Sequence, residues 1–169
     1  MPDGLPDRFF DKVTLSNFGL SGAFDLIVVR YVRSLRVTEQ VRAELAAGRI
    51  RGYSELKVVE QALAAGRILP AKPMTMPENE LFVELLRTLG SGEASCVALA
   101  RHRAGIVATD DRAARSSCAE RRVAVTGTIG ILKALCTDKN ITSEEADVIL
   151  ARMIDAGFYS PVRRVSDLL

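Results

Sequence analysis

The chain has 169 residues, of which 48% are hydrophobic and 26% are charged, and this composition is typical of a folded globular protein rather than a disordered one. The length fits one domain with a full core and is too short for two ordinary domains. The net charge of +2 excludes nucleic-acid binding through overall charge, so any such binding depends on a local basic patch.

Neither a membrane span nor a secretory signal is indicated. No apolar run is long enough to cross a bilayer, and the residues after Met1 lack a basic start and an apolar core. Cys96, Cys118 and Cys136 lie far apart without a Cys-x-x-Cys pair. We therefore expect small buried cysteines in a reducing compartment, and a cytoplasmic protein that does not interact with membranes.

The first half of the chain is predicted to contain three short strands and several helices. In chain order we first expect a loose leader (3–8), a strand that carries an acid near its end (9–13), a short helix (15–20), a helix buried on all sides (23–32) and a strand (35–37). A helix capped by Thr38 (41–46), a further helix (48–66), a strand (68–69), a loop (70–77) and an amphipathic helix (78–89) should follow.

The second half alternates more regularly. Apolar residues at helical spacing (93–103) precede a β-branched strand (106–108), a helix (112–120), an apolar strand (123–125) and a helix opened by 127–130. Thr142 to Glu145 form a capping box for a helix that ends at Asp155, before Gly157. The tail (158–169) is expected to pack back on the sheet. This alternation predicts an α/β fold with a central, mostly parallel sheet.

Five acidic residues fall where predicted strands end or helices begin: Asp11, Glu44, Glu93, Asp110 and Asp111. In parallel sheets, ligands bind outside the carboxyl ends of the strands. Carboxylates gathered there repel each other unless a cation such as Mg²⁺ or Mn²⁺ neutralises them. Such a cation acidifies a bound water and stabilises charge on a phosphoryl oxygen, as phosphodiester hydrolysis requires. The spacing fits equally well with acids at helix N-termini or on the surface, so both interpretations stay open.

Four arginines flank the acidic positions: Arg112, Arg115, Arg121 and Arg122. Beside a metal site they would hold a phosphate backbone, and the alternative is a solvated helix face. Aromatic residues are few, and none interleaves with these arginines, so the sequence does not indicate base stacking.

Three runs carry a resemblance to a known family: Gly92-Glu93-Ala94-Ser95, Val107-Ala108-Thr109-Asp110-Asp111-Arg112-Ala113-Ala114-Arg115 and Gly127-Thr128-Ile129-Gly130-Ile131-Leu132. They look like the PIN-like branch, once grouped as a domain of unknown function, that is related to VapC-type toxin ribonucleases. The segments 11–18 and 41–44 are similar to the family's first two acidic motifs, and 155–159 fits its ending. The resemblance covers about residues 11–159.

The resemblance implies a three-layer α/β/α PIN-like fold, as a single domain over 1–169 with a core at about 8–159 and a tail at 160–169. It implies a Mg²⁺- or Mn²⁺-dependent endoribonuclease acting on RNA as the toxin of a type II toxin–antitoxin pair, with an antitoxin protein as a possible partner. The matching catalytic positions are Asp11, Glu44, Glu93 and Asp111. The implied metal ligands are Asp11, Glu93 and either Asp110 or Asp111, and Arg112 and Arg115 would contact the nucleic acid.

One departure from the family pattern favours an alternative. Lys12 follows the first acid, where a small residue is usual, and its ammonium would pair with a carboxylate and weaken metal binding. The alternative function is a PIN-like fold without catalysis that serves as a nucleic-acid-binding or regulatory module. Apolar residues in 81–89 and 158–169 would mark an interface if they are exposed, and PIN proteins commonly pair, so we expect a homodimer.

Overall fold

The structure, a computed structural model, describes residues 4–50 and 56–169. Within these ranges, five strands form one sheet: β1 (Arg8–Phe10), β2 (Leu35–Val37), β3 (Leu69–Pro70), β4 (Ile106–Ala108) and β5 (Ala124–Thr126). Their order is β3-β2-β1-β4-β5, and each neighbouring pair is parallel. The predicted α/β fold with a parallel central sheet is therefore confirmed.

The helices of the described residues are α1 (Lys12–Leu20), α2 (Phe24–Arg30), α3 (Glu39–Ile50), α4 (Lys57–Ala64), α5 (Met76–Leu85), α6 (Ser91–Arg103), α7 (Arg112–Glu120), α8 (Thr128–Thr137) and α9 (Ser143–Asp155), with a short 3₁₀ helix at Ser166–Leu168. Helix α1 packs against α2, α3, α4 and α9, and α6 packs against α3, α5 and α7, so α3 contacts both groups. In a parallel sheet, right-handed crossovers place helices on both faces, which gives the expected three layers.

The core lies on both faces of the sheet. Phe9 and Phe10 point to opposite faces of β1, and neither has any exposed surface. Val107 and Ala108 are equally buried on β4, so the two central strands are covered on both sides, as in other parallel sheets. Burial of one Phe side chain contributes about 1.5–3 kcal/mol to the free energy of folding, and this helps to stabilise strands of only three residues.

Side-chain caps set where several helices begin. Thr142 and Glu145 form the predicted capping box of α9, and the Thr142 hydroxyl accepts a bond of 3.1 Å from the Glu145 N–H. Thr75 and Glu78 form a second capping box, which starts α5 at Met76. The predicted loop at 70–77 is therefore wrong at its end, because Pro77 is tolerated in the first turn of a helix.

Other sequence predictions also need correction. The first strand ends at Phe10, and Lys12 already lies in α1. The helix predicted as buried on all sides is shorter than expected, and Val29 on it is 67% exposed. In the predicted helix at 48–66, Gly48 belongs to α3, residues 51–55 lie outside the described residues, and α4 begins at Lys57.

The tail packs back on the domain, as predicted. Val165 is fully buried, and Phe158 and Val162 are partly buried against the core. Two of the cysteines, Cys96 and Cys118, are buried as expected. No helix in the described ranges is long and apolar enough to cross a membrane.

Candidate functional site

Strands β1 and β4 lie side by side at the centre of the sheet, and the direction in which successive strands are added changes between them. Strands β1, β2 and β3 extend the sheet in one direction, and β4 and β5 extend it in the other. Asp11 follows β1, and Thr109, Asp110 and Asp111 follow β4. The carboxyl ends of strands at such a reversal form the usual ligand-binding crevice of an open parallel sheet.

Asp11 is the buried acid of this crevice. It is 2% exposed and caps α1, because its Oδ1 accepts the Thr14 N–H at 2.8 Å. Its Oδ2 accepts the Thr109 hydroxyl at 2.5 Å. Burial raises the pKa of Asp11 from 3.8 to about 6, since the hydrogen bonds offset only part of the desolvation and the charge of Glu93 adds to it.

Thr109 joins the ends of the two central motifs. Its hydroxyl donates to Asp11 and accepts the Asp111 N–H at 3.1 Å. Asp111 in turn caps α7, because its Oδ2 accepts the Ala114 N–H at 2.8 Å, and the residue is exposed to solvent. One buried hydroxyl therefore fixes the positions of two acids that are far apart in the sequence.

Glu93 and Glu44 meet at the N-terminus of α6. Glu44 extends from α3, and its Oε1 accepts the Gly92 N–H at 3.0 Å and the Ser91 hydroxyl at 3.2 Å. The pKa of Glu93 is raised, first by burial and then by the charges of Glu44 and Asp111. These electrostatic interactions place Glu93 within range of Glu44, Asp111 and Asp11.

Lys12 lies close enough to act on the same group. Its charge is among the causes that lower the pKa of Glu93, and it opposes the charges of Glu44 and Asp111. This effect is smaller than the effect of burial, so the pKa of Glu93 is still raised, and the weakening of metal binding by Lys12 stays a prediction.

Asp110 has different partners from Asp111. Its Oδ1 accepts the Thr128 N–H at 2.9 Å, and its Oδ2 accepts the Thr128 hydroxyl at 2.5 Å. It therefore caps the first turn of α8, whereas Asp111 caps α7. The negative charge of Asp111 is one of those that raise the pKa of Glu93. This difference favours Asp111 as the residue that shares the cluster with Asp11 and Glu93.

The arginines divide into two kinds. Arg112 is exposed on the first turn of α7, and Arg115 donates from Nη1 to the Thr109 carbonyl at 2.9 Å. Arg121 instead contacts Ser117 and Glu120 at the far end of α7, so its surroundings are those of a helix surface. Arg112 and Arg115 thus begin the helix that starts at the acidic crevice.

Carboxylate oxygens are the ligands that a hard divalent cation prefers, although the side chains of these acids do not surround a position for one. No group of three Asp, Glu, His or Cys residues in the described part of the chain is arranged to hold a metal ion. One observation fits a cation nevertheless. The buried Asp11 carboxylate resists ionisation, because burial and the charge of Glu93 both disfavour its charged form. A cation with its waters would offset this cost.

Several hydrogen-bond partners of positioning groups escaped the sequence analysis. The Thr38 and Ser95 hydroxyls share a bond of 2.7 Å below the N-terminus of α6, and Asn17 donates to the Thr128 hydroxyl at 3.1 Å. Each pair joins residues from different elements, so no local spacing reveals it. The signal for Thr109 was present, since it directly precedes the Asp pair at the end of a predicted strand.

Comparisons with known proteins agree with this fold. A family model described as a PIN domain matches residues 10–169. Among solved structures, the crystal structure of PAE2754 from Pyrobaculum aerophilum is similar, with a TM-score of 0.54 and 14% sequence identity over 79% of this chain and 98% of that one. At this identity the similarity shows the fold alone. A search among curated proteins found no match.

Proposed function

This chain belongs to the PIN domain family, and we propose that it is a metal-dependent endoribonuclease that hydrolyses phosphodiester bonds of RNA. PIN domains generally are nucleases. The observation that carries the proposal is the Thr109 hydroxyl at the ends of β1 and β4, which donates to Asp11 and accepts the Asp111 N–H, while the charges of Glu44 and Asp111 act on Glu93. Burial, with a smaller contribution from the neighbouring acids, raises the pKa of Asp11 and of Glu93, a feature common at functional sites.

Asp11, Glu93 and Asp111 would hold the Mg²⁺ or Mn²⁺ ion. When bound, such a cation supplies charge stabilisation for the scissile phosphate and lowers the pKa of a water molecule. Thr109 orients Asp11 and the Asp111 backbone, so that both carboxylates are fixed before substrate arrives. Glu44 holds the N-terminus of α6 and thereby the position of Glu93.

Arg112 and Arg115 would bind the RNA backbone next to these acids. Guanidinium groups form charge-assisted, bidentate bonds with phosphate. Arg115 is held by the Thr109 carbonyl, so it lies at a fixed place beside the crevice, while Arg112 is exposed. With a net charge of only +2, this local pair would supply the electrostatic attraction that the chain as a whole lacks.

The test is cleavage of an end-labelled RNA by the parent protein, by Asp111→Asn and by Asp155→Asn. An Asn still caps α7 but removes one charge from the cluster. Asp155 is an exposed acid at the end of α9 and serves as the matched control. We expect Mn²⁺-dependent cleavage by the parent and the control, none in EDTA, and none by Asp111→Asn. Equal cleavage by all three proteins in EDTA would refute the proposal.

Lys12 favours a second candidate function, a non-catalytic nucleic-acid-binding or regulatory module. The positive charge of Lys12 acts to lower the pKa of Glu93. A positive charge beside these acids would also weaken their binding of a cation. RNA binding in EDTA that Mn²⁺ does not change, without cleavage by the parent or by Lys12→Ala, would establish this alternative. Cleavage that increases in Lys12→Ala would instead show an enzyme restrained by Lys12.

We also propose a homodimer and a toxin role. Met76 and Val83 on α5 are 79% and 56% exposed, and such apolar surface on a small domain usually marks an interface. Light scattering across a wide concentration range tests the dimer, and a single-chain mass throughout would exclude it. Growth arrest on expression, relieved by co-expression of a small neighbouring gene, tests the toxin–antitoxin pair.

A further inference from the structure

A second cavity adjoins the acidic crevice on the β5 side of the sheet. It has a volume of ≈ 530 Å³ and lies between the end of β5, the first turn of α8 and the segment that follows α9. Its lining includes Asp110, Arg115 and Tyr159. Pockets that bind small ligands commonly measure about 300–1,000 Å³, so this one is large enough for a nucleoside.

Tyr159 is an unusual lining residue because it is 95% exposed. Most other aromatic side chains of the described ranges are buried in the core, including Phe9, Phe18 and Phe24. Exposure of an aromatic ring forgoes about 1.5–3 kcal/mol of burial free energy. No structural role in the fold described here explains why a tyrosine stands at this position.

Tyr159 is also held by ordered backbone rather than by a loose terminus. Gly157 adopts a φ of 111°, which turns the chain after α9, and the Phe158 N–H bonds to the Met153 carbonyl at 2.9 Å. The Phe158 side chain packs against the core on one side of Tyr159. On the other side, the Ser160 hydroxyl accepts the Val162 N–H at 3.2 Å. The backbone on both sides of Tyr159 is therefore held in place, and its exposed ring is accessible to a ligand.

The cavity connects to the acidic crevice through Arg115 and Asp110. A Cβ at Gly127 would lie 2.5 Å from Asp110 Oδ1 and 3.1 Å from Arg115 Nη1, so the glycine permits the close approach of both groups. Arg115 bonds to the carbonyl of Thr109, whose hydroxyl bonds to Asp11. A strand whose phosphate is at the crevice would therefore place its next nucleotide at the cavity.

From this arrangement we infer that the cavity is a nucleotide subsite, in which Tyr159 stacks on one base of a single-stranded RNA substrate while Arg115 pairs with the phosphate of that nucleotide. The inference rests on the proposed ribonuclease function and names the part of its substrate that this site recognises. It goes beyond the sequence analysis, in which the separation of aromatic and basic residues did not indicate base stacking. The fold brings Tyr159 and Arg115 to the same cavity. Stacking on a tyrosine accepts any base, so the subsite would select single strands rather than a sequence.

The experiment measures the binding of AMP, adenosine and inorganic phosphate to the full chain by NMR titration in EDTA. The proteins are the parent, Tyr159→Ala, Tyr159→Phe and, as a matched control, Val29→Ala, which truncates another exposed side chain outside this cavity. Because Tyr159 is exposed, its substitution should leave the melting temperature unchanged. We expect AMP to bind the parent more tightly than phosphate does, and Tyr159→Ala to weaken AMP binding about 5- to 150-fold. Tyr159→Phe, which keeps the ring, and Val29→Ala should bind AMP within about twofold of the parent.

The outcomes separate this inference from the function on which it rests. Equal binding of AMP by the parent and Tyr159→Ala, or no binding of AMP at all, overturns the subsite. Binding of phosphate as tightly as AMP also overturns it, since only an anion would then be recognised. Cleavage of RNA in which KM is the same for the parent and Tyr159→Ala overturns the subsite but leaves the nuclease intact. AMP binding that depends on Tyr159, without RNA cleavage, supports the subsite and refutes the nuclease.

Discussion

Replacement of Asp11 by Asn tests the electrostatics of the acidic crevice directly. Asp11 is 2% exposed, and its pKa rises from 3.8 to about 6 because burial disfavours the carboxylate and the charge of Glu93 adds to this effect. Asn has nearly the same shape and caps a helix as well as Asp does, so it keeps the bond to the Thr14 N–H. The change therefore removes a buried charge with little change in packing.

The magnitude follows from the pKa of Asp11. A rise from 3.8 to about 6 means that ionisation of Asp11 costs the folded protein about 3 kcal/mol. The folded state binds the proton more tightly than the unfolded chain does. The stabilisation by protonated Asp11 is therefore complete below pH 3.8 and is lost as the pH rises through about 6. At pH 8 we expect Asp11→Asn to have a free energy of unfolding about 3 kcal/mol above that of the parent, or a melting temperature about 6–12 °C higher.

The assay is thermal unfolding followed by circular dichroism in EDTA, at intervals from pH 8 to pH 5, with Asp155→Asn as the control. At pH 5 the parent recovers about 1.4 kcal/mol by protonation of Asp11, so its difference from Asp11→Asn should shrink to about half. Added Mn²⁺ should stabilise the parent by about 2.7 kcal/mol at a hundredfold excess over Kd, and the variant much less.

Two results would refute this reasoning. A difference between Asp11→Asn and the parent that stays constant from pH 8 to pH 5 would show that Asp11 does not titrate in this range. A melting temperature of Asp11→Asn below that of the parent at every pH would show that the carboxylate stabilises the metal-free fold.

Three further predictions concern the surroundings of the site. Gly92→Ala places a Cβ 2.5 Å from Glu44 Oε2, so the flexible Glu44 side chain must move away from its position at the site. We expect RNA cleavage to fall while the free energy of unfolding changes by less than about 1 kcal/mol, and parallel activity and melting measurements check this. Glu78→Gln breaks a partly buried bidentate pair with Arg103 and should cost about 1.5–3 kcal/mol in urea unfolding at pH 7. Since the pKa of Glu78 is lowered from 4.5 to about 2, the parent should lose this stabilisation as the pH falls through that range, and the variant should not. Arg112→Ala should weaken RNA binding uniformly across sequences and reduce the slope of log K against log salt by about 1 in filter binding; an unchanged slope would exclude a phosphate contact.

Local sequence patterns determined most element types and the bounds of several elements. The β-branched run at 106–108 coincides with β4, and the helix-forming run at 112–120 coincides with α7. Both were predicted correctly because the residues of each run favour one type of element and the run ends at a clear boundary. The capping box at Thr142 was also correct, because its partner lies only three residues away. Errors arose where two local preferences compete. At Lys12 the cap by Asp11 started a helix where the apolar pattern favoured a strand.

Tertiary structure decided which partners each acid has. Asp110 and Asp111 are adjacent in the sequence and equally suited to bind a cation, yet they cap different helices because the chain bends between β4 and α7. The Thr109 hydroxyl joins the ends of the neighbouring strands β1 and β4 through its bonds to Asp11 and Asp111, and Tyr159 reaches the cavity of Arg115 only after α8 and α9 have returned the chain to it. Sequence spacing specifies neighbours along one helix or strand, whereas contacts between elements depend on strand order and on the packing of both layers, which no local pattern encodes.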